Sequence, residues 1–225
     1  MPMKLDEIAA VIQHTDVSPT ATESNIRALC ADAVRFRFNG VMVQPCWIGL
    51  CRAELAGTDI KVCSAMAYPM GGGLTRSKVA EMRHLVEEGV DEIDFMPNLG
   101  FLLSGRTEEF RAEIVAVVEA AEGRPVKAML ELEPLSIAER RLAILEAEAG
   151  GCAYVKNSSG WGVGGKATAE LIRFMAATAT RAKVKASGGI RSRQDAEDNI
   201  LAGAVLLGTS AGPAIMRSGV GANAY

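Results

Sequence analysis

Short runs of apolar residues alternate about eight times along this chain with segments in which apolar and polar residues are mixed. Short apolar runs predict buried strands, and between them apolar residues recur every three to four positions, which is typical of amphipathic helices. After 19–22, which contains cap-forming residues, Ile26, Leu29, Cys30 and Ala33 share one helical face. The predicted strands are 11–15, 40–43, 60–67, 90–96, 126–132, 153–156, 184–186 and 204–207. The predicted helices are 5–12, one opening at 19–22, 46–55, 75–88, 107–121, 137–149, 168–179 and 192–201.

This alternation has short connections and no linker within 225 residues. Alternating strands and helices predict a parallel sheet with right-handed crossovers. Eight repeats of about 25 residues favour a closed (β/α)8 TIM barrel over an open sheet. We therefore expect an α/β fold, with 1–225 as a single barrel domain and a short N-terminal helix that closes one end.

Residues 153–165 combine the end of a predicted strand with a Ser- and Gly-rich loop, in the sequence AYVKNSSGWGVGG. Lys156 ends the apolar run, at a depth where a lysine is costly unless it is paired or desolvated for a purpose. The small residues after it expose backbone N–H groups, which suit an anion such as phosphate. A nucleophilic amine beside such a cradle points to Schiff-base chemistry on a sugar phosphate. A solvated lysine at a strand end is the simpler alternative.

The fourth and fifth predicted strands carry charged side chains. Glu92 and Asp94 share one face of the fourth strand, while Ile93 and Phe95 share the other. The apolar pair is expected to face the helices, which directs both carboxylates into the barrel. Lys127 on the next strand is expected to pair with one of them, because an interior carboxylate needs a partner. Asp94 is then either part of a structural ion pair or a proton carrier near the reacting carbon.

A second lysine, Lys185, stands at the seventh predicted strand, one strand along from Lys156. Two neighbouring ammonium groups repel each other, which lowers the pKa of one and leaves a free amine at neutral pH. This pairing favours catalysis over the solvated-lysine alternative. Gly-rich loops follow the seventh and eighth strands, at 187–189 and 208–212, where such barrels commonly bind phosphate. Glycine at a strand end is also ordinary turn chemistry, so each loop is a weak signal alone.

Composition excludes several classes of function. The net charge of −3 gives no electrostatic reason to expect nucleic acid or an anionic membrane as a partner. No apolar run approaches the roughly 20 residues of a membrane span, and the N-terminus is too charged for a secretory signal, so a cytoplasmic location is expected. Five cysteines without compact spacing and only two histidines argue against a disulfide framework and against a zinc site. We expect buried free thiols and no metal.

Five segments resemble the sequence pattern of the deoxyribose-phosphate aldolase family, whose members are class I Schiff-base aldolases. The segments are 13–15 (QHT), 91–94 (DEID), 154–160 (YVKNSSG), 184–191 (VKASGGIR) and 208–210 (GTS). They follow the family's order and span nearly the whole chain. The two segments that contain the lysines are specific, whereas the first and last are not.

The resemblance implies a role for each matching residue. Lys156 would form the Schiff base with the donor acetaldehyde, Lys185 would lower its pKa, and Asp94 would move protons through a water. The substrate phosphate would be held largely by backbone N–H groups, at Ser159, Gly160, Gly188, Gly189 and Ser210. The implied reaction reversibly splits 2-deoxy-D-ribose 5-phosphate into D-glyceraldehyde 3-phosphate and acetaldehyde. It needs no metal or organic cofactor, because the iminium is the electron sink.

The resemblance also bears on the chain end and on partners. Tyr225 matches, by position only, a tyrosine that some family members use to help deprotonate the imine carbon; the alternative is a disordered tail residue. The implied partners are a small sugar phosphate and an aldehyde. Family members are often dimers or tetramers, so a homo-oligomer is a further expectation.

Several positions depart from the family pattern. Gln13 stands where the family usually has Asp, Asn157 replaces a threonine, Trp161 adds a large ring, and Ala211 replaces a second serine. The segment 67–71 reads AYPMG where GFPLG is common. The three catalytic candidates are retained, so aldolase chemistry is expected. One alternative is a related, biosynthetic Schiff-base aldolase with a different donor or acceptor. The other is a non-catalytic barrel that binds a phosphorylated ligand.

Overall fold

A computed structural model describes residues 3–217, and in this part of the chain eight parallel strands close into a barrel. Each strand pairs with the next one along the chain, and the last pairs with the first. The predicted (β/α)8 barrel is confirmed. The strands are β1 (Ile12–Asp16), β2 (Gly40–Val43), β3 (Lys61–Met66), β4 (Glu92–Phe95), β5 (Val126–Met129), β6 (Tyr154–Lys156), β7 (Lys183–Ser187) and β8 (Ala204–Thr209).

Helices connect the strands and pack around them. Those of the described residues are α1 (Leu5–Ala9), α2 (Glu23–Phe36), α3 (Ile48–Glu54), α4 (Thr75–Glu87), α5 (Leu99–Leu103), α6 (Thr107–Ala120), α7 (Ile137–Ala149), α8 (Ala169–Thr178), α9 (Arg193–Leu201) and α10 (Gly212–Met216). Between residues 3 and 217, none of the helices has the length and apolar character needed to cross a bilayer.

Helix α2 shows how the local sequence sets an element. Thr22 caps its N-terminus, because the Thr22 side chain accepts a hydrogen bond from the Asn25 N–H that has no partner within the helix. The predicted apolar face is confirmed, since its four residues are the buried ones of the helix: Ile26, Leu29, Cys30 and Ala33. Arg37 ends the helix in the left-handed conformation, with φ of 57°.

Three helical segments differ from the prediction. The predicted helix 46–55 is divided, because a 3-10 turn over Pro45–Trp47 precedes α3. Proline suits the first position of such a turn, where its missing N–H has no intrahelical partner to lose. Helices α5 and α10 have five residues each and were not predicted. Segments that short do not repeat an apolar pattern often enough to be recognised.

Side chains alternate between two cores, because successive strand residues point to opposite faces. Ile93 and Phe95 of β4 are fully buried in the apolar layer between barrel and helices, as predicted. A smaller apolar cluster consists of Val17, Met42, Cys63 and Ala65, with Tyr68 packed against it. Three of its four buried members also line the cavity described below, so this cluster forms the apolar part of that cavity wall.

All five cysteines are free thiols, and four of them are buried. Cys46 is exposed, so the expectation that all the thiols are buried was wrong at this position. Cys46 lies in the 3-10 turn Pro45–Trp47, in which no residue is buried. Among residues 3–217, no group of three or more His, Cys, Asp and Glu side chains is arranged to hold a metal ion.

Candidate active site

Charged side chains fill the interior of the barrel. Asp94 and Lys127 are register partners on β4 and β5, and both side chains are fully buried. The Lys127 Nζ lies 3.0 Å from Glu92 Oε2 and 3.1 Å from Asp94 Oδ1. The predicted pairing of Lys127 is therefore confirmed, and it involves both carboxylates.

The Asp94 carboxylate is the centre of this arrangement. Its Oδ2 accepts hydrogen bonds from Lys156 Nζ at 2.8 Å and from Lys185 Nζ at 2.7 Å. Lys156 and Lys185 are register partners on β6 and β7, so the predicted adjacency of the two strands is confirmed. With Lys127 on its other oxygen, one carboxylate contacts three lysines whose side chains are each at most 6% exposed. Since Lys127 is shared with Glu92, three buried lysines face two carboxylates in the interior of the barrel.

The charges set the protonation of the cluster. Burial alone raises the pKa of Asp94, but Lys156, Lys185 and Lys127 together hold it well below its usual value. Burial lowers the pKa of Lys127, yet Asp94 and Glu92 outweigh burial and raise it, so Lys127 stays cationic. Asp94 and Lys127 thus form a fixed ion pair at neutral pH.

Lys185 behaves differently from Lys127. Burial lowers its pKa to about 7; Asp94 opposes this effect, and the charges of Lys156 and Lys127 add to it. From the sequence, repulsion between the two lysines was expected to lower the pKa of one of them. In the structure the lysine with the lowered pKa is Lys185, and burial is a larger cause than repulsion. Near neutral pH the cluster therefore contains a lysine that readily gains or loses a proton.

A second layer of polar side chains lies beneath Asp94. Glu92 accepts a hydrogen bond from Gln13 Nε2 at 2.8 Å and is also paired with Lys61. Burial raises the pKa of Glu92, but Lys127, Lys61 and Gln13 together lower it to about 2. Glu92 is thus an anion with a full set of partners, and it does not line the cavity above.

Lys156 opens into a cavity of about 290 Å³ bounded by the loops after several strands. All the residues assigned to the phosphate by resemblance line it: Ser159, Gly160, Gly188, Gly189 and Ser210. The wall also includes Thr15, Tyr68 and Met129. Lys156 is the member of the Asp94 cluster at this wall, and its side chain is 6% exposed. The cavity therefore places a small ligand against the Lys156 amine.

The five phosphate candidates fall into two groups. The N–H of Ser159 donates to the Glu131 carboxylate, and the N–H of Gly160 donates to Ser158 Oγ at 3.0 Å. Within residues 3–217, the N–H groups of Gly188, Gly189 and Ser210 donate to no other group. Gly188 and Gly189 adopt φ of 90° and 74°, which favours glycine. The free donors are therefore on the loops after β7 and β8.

Three further residues of the wall had no role predicted from the sequence: Lys166, Arg191 and Tyr68. Lys166 and Arg191 line the cavity together with Gly188 and Gly189. The Lys166 stem lies close to Gly189, where an added Cβ would be 2.9 Å from Lys166 Cγ. Tyr68 completes the wall, and its hydroxyl donates to the Ser159 carbonyl at 3.2 Å. Basic residues beside Gly pairs, at 165–166 and 189–191, were the available signal for the two cations.

The departures from the family pattern lie mostly outside the cavity. Asn157 is fully buried, and its amide bonds both the N–H and the carbonyl of Ser187, which ties β6 to β7. In the described part of the chain, Gln13, Trp161 and Ala211 are also absent from the cavity wall. Tyr68 is the departure that a ligand would contact. Tyr225 lies outside the described residues.

Comparison with known proteins gives a consistent result. No protein-family model matches the chain. The chain is 40% identical over 216 residues to the deoxyribose-phosphate aldolase of Thermotoga maritima, covering 96% of this chain and 87% of the relative. It is 41% identical over 224 residues to that of Carboxydothermus hydrogenoformans, covering 97% and 98%. The structure of the tetrameric deoxyribose phosphate aldolase from Aeropyrum pernix matches with a TM-score of 0.89 at 28% identity, over 96% of this chain and 92% of that one. This chain belongs to the deoxyribose-phosphate aldolase family.

Proposed function

We propose that the chain reversibly cleaves 2-deoxy-D-ribose 5-phosphate into D-glyceraldehyde 3-phosphate and acetaldehyde through a Schiff base on Lys156. The observation that carries this proposal is the Lys156 amine, which is hydrogen-bonded to Asp94 and faces a cavity with free backbone donors. The relatives from Thermotoga maritima and Carboxydothermus hydrogenoformans are deoxyribose-phosphate aldolases, and they supply the substrate class. The arrangement of the described residues supports the chemistry.

Lys156 needs a neutral amine to attack the aldehyde carbon. Asp94 Oδ2 contacts both Lys156 and Lys185, so it offers a short path for a proton between the two amines. The Lys156 ammonium gives up a proton, the Lys185 amine gains one, and the total charge of the cluster is unchanged. Since the pKa of Lys185 is about 7, its free amine is present near neutral pH to accept that proton.

The Schiff base then drives carbon–carbon cleavage. Attack by the Lys156 amine forms a carbinolamine, and loss of water from it gives an iminium. Asp94 is the carboxylate placed to move protons in both steps. The hydroxyl group on the carbon that becomes the aldehyde loses its proton as the carbon–carbon bond breaks, and the electron pair of that bond passes to the positively charged iminium. The products are the phosphorylated aldehyde and an enamine on Lys156, and the proton released by the hydroxyl is then available to the enamine carbon. Protonation and hydrolysis of that enamine release acetaldehyde.

The phosphate is assigned to the loops after β7 and β8. Gly188, Gly189 and Ser210 provide backbone donors, and Arg191 and Lys166 provide positive charge at the same end of the cavity. Ser159 and Gly160 stay in the proposed subsite as wall residues, with their N–H groups already bonded within the chain. A doubly charged phosphate ester would be neutralised there, away from the reacting carbon.

A second candidate is an aldolase that takes a different acceptor. Tyr68 favours it, because this departure from the family pattern lines the cavity directly. The donor end next to Lys156 is unaffected by Tyr68, so a changed acceptor would leave Schiff-base formation with acetaldehyde intact. The non-catalytic barrel has no such support, since it gives no purpose to three lysines on one carboxylate.

Borohydride trapping distinguishes these candidates. The protein is incubated with 2-deoxyribose 5-phosphate or with acetaldehyde, then reduced, and the adduct is located by peptide mass. Lys156→Met tests the site, and Lys183→Met is the matched control, because Lys183 is an exposed lysine at the start of β7. Adducts on Lys156 from both compounds support the proposed reaction. An adduct from acetaldehyde alone indicates a different acceptor, and none from either compound rejects Schiff-base catalysis.

Assembly and location complete the proposal. The Aeropyrum pernix relative is described as tetrameric, and we propose that this chain also forms a homo-oligomer. Exposed apolar residues on the outer helices, such as Ile137 and Leu201, support this idea. Sedimentation equilibrium checks it, and a mass of one chain would contradict it. The cytoplasmic location remains a prediction, as does any role for Tyr225.

A further inference from the structure

Gln13 is a fully buried side chain that joins the two polar layers inside the barrel. It lies on β1, and its Oε1 accepts a hydrogen bond from Lys185 Nζ at 2.6 Å. Its Nε2 donates to Glu92 Oε2 at 2.8 Å and to Asn39 Oδ1 at 3.2 Å. Lys185 thus has two acceptors, Gln13 on one side and Asp94 on the other.

The partners of the Gln13 amide determine its orientation. Glu92 is an anion and can only accept, so the amide NH2 must face it. The Lys185 nitrogen donates, so the amide oxygen must face Lys185. A reversed amide would place oxygen against a carboxylate and NH2 against an amine. Gln13 therefore presents a hydrogen-bond acceptor to Lys185, and its amide stands between Lys185 and the charged Glu92 carboxylate.

An amide oxygen and a carboxylate would have different effects on Lys185. Both accept a hydrogen bond from either the ammonium or the free amine, because each form carries N–H groups. A carboxylate also attracts the positive charge and so favours the ammonium form, whereas a neutral amide has little such preference. We propose that Gln13 is a positioning residue that holds Lys185 beside Asp94 while leaving it free to lose its proton.

The other groups around Lys185 come from four further strands. Asp94 on β4 favours the ammonium form, whereas the Cys63 thiol on β3 is uncharged near neutral pH, because burial raises its pKa to about 12. Lys127 on β5 and Lys156 on β6 favour the free amine, as does burial. A second carboxylate in contact with Lys185, at position 13, would shift this balance towards the ammonium. The proposal rests on the function proposed above, in which Lys185 takes up the proton that Lys156 loses.

A charge swap tests the proposal without changing the net charge of the barrel. The double variant Gln13→Glu/Glu92→Gln moves the carboxylate from Glu92 into contact with Lys185. The single variant Glu92→Gln is the matched control, because it removes the same charge without adding one next to Lys185. Thermal unfolding of each variant establishes that it is folded.

The first readout is the protonation of Lys185 itself. In protein labelled with lysine carrying ¹³C at Cε, the Lys185 resonance is assigned by its absence in Lys185→Met and then titrated. We expect a midpoint near 7 in the wild type. In the charge swap we expect it to rise by about one pH unit or more, and in the control we expect it to stay or to fall, because the control only removes a negative charge. A midpoint equal to that of the control overturns the proposal, even if the protein proves to have no aldolase activity.

The second readout is the rate of reductive trapping by acetaldehyde as a function of pH. We expect the charge swap to slow trapping about tenfold at pH 7 and to recover at higher pH, which a merely structural defect would not do. If the double variant does not fold, Gln13→Met provides the test. This variant keeps the size of the side chain and loses the amide oxygen that accepts the hydrogen bond from Lys185. We expect it to trap more slowly at every pH, with no upward shift of the midpoint. Wild-type rates in Gln13→Met would overturn the proposal, whereas a wild type that forms no adduct rejects the proposed function instead.

Discussion

The protein buries lysines against carboxylates in two places, and the two clusters differ in composition. Outside the barrel, Lys78 of α4 pairs with Glu113 of α6 at 2.8 Å, and both side chains are at most 2% exposed. The Lys78 Nζ also donates to the carbonyls of Gly71 at 2.5 Å and Met96 at 3.2 Å. The Glu113 carboxylate and the two carbonyls accept hydrogen bonds from all three N–H groups of the Lys78 ammonium. This is the composition of a structural ion pair.

Inside the barrel the ratio is three lysines to one Asp94, with Lys156 at the wall of a cavity. Burial lowers the pKa of Lys78 as it does that of Lys185, and Glu113 opposes it as Asp94 opposes it for Lys185. Burial and pairing therefore do not distinguish a structural lysine from a reactive one. The reactive cluster differs in having more lysines than carboxylates and in opening to a cavity at Lys156. Variants of the two clusters test that distinction.

The largest effect is expected from Lys156→Met. The variant loses the nucleophile, so turnover should fall by about 10⁴-fold or more, and no adduct should form after reduction. The free energy of unfolding should change little, because Asp94 keeps Lys127 and Lys185 as partners. Turnover, intact mass and thermal unfolding measure the three quantities. An adduct of normal yield on another lysine would show that Lys156 is not the nucleophile.

Asp94→Asn is expected to affect both activity and stability. Without the carboxylate, three buried lysines face one another, which should destabilise the folded state by several kcal/mol, about 3–5 for a broken buried pair. Loss of the proton carrier should lower turnover by about 10²–10⁴-fold. Urea denaturation and single-turnover trapping measure the two effects. Unchanged stability would indicate that two of the lysines are already neutral in the folded wild type.

Lys78→Met should lower stability and leave the chemistry unchanged. It leaves Glu113 buried without its cation, at a cost of about 3–5 kcal/mol in the free energy of unfolding. Adding Glu113→Gln should recover part of this loss, because the neutral amide still accepts from the Asn98 N–H. The rate of acetaldehyde trapping per folded molecule should stay within about twofold of the wild type. A tenfold slower rate would mean that the Lys78 cluster supports the active site.

The Lys78 cluster also shows which features can be predicted from sequence. A period of two along β4 placed Glu92 and Asp94 inside the barrel, and the alternation of elements gave the barrel itself. These patterns are local. The helical spacing of apolar residues over 75–88 gave no role to Lys78, because its partner Glu113 lies 35 residues away on another helix. The Gln13 contacts and the cavity wall at Lys166 depend in the same way on how distant elements meet.

The pH dependence of trapping is expected to show the lowered pKa of Lys185. The pKa is about 7 in the folded protein, so the free amine is the minor form below this pH and the major form above it. The trapping rate should therefore rise about tenfold per unit below pH 7 and level off above it, because the amine form accepts the proton of Lys156. Rates at constant ionic strength with acetaldehyde measure this dependence. A rate that keeps rising up to pH 10 would show that Lys185 stays cationic.

The smallest effect is expected from the far end of the cavity, where Lys166→Ala removes a positive charge without touching the Asp94 cluster. If the phosphate lies there, KM for 2-deoxyribose 5-phosphate should rise several-fold, by about 1 kcal/mol of binding free energy, because the lost contact is charge-assisted but exposed. Trapping by acetaldehyde, which has no phosphate, should be unchanged. The same substitution at Lys183, an exposed lysine outside the cavity wall, is the control. An equal change of KM in both variants would point to a general effect of charge. A change in acetaldehyde trapping by Lys166→Ala would show that Lys166 acts on the Lys156 and Lys185 amines, and the distinction between a reactive end and a phosphate-binding end of the cavity would then be wrong.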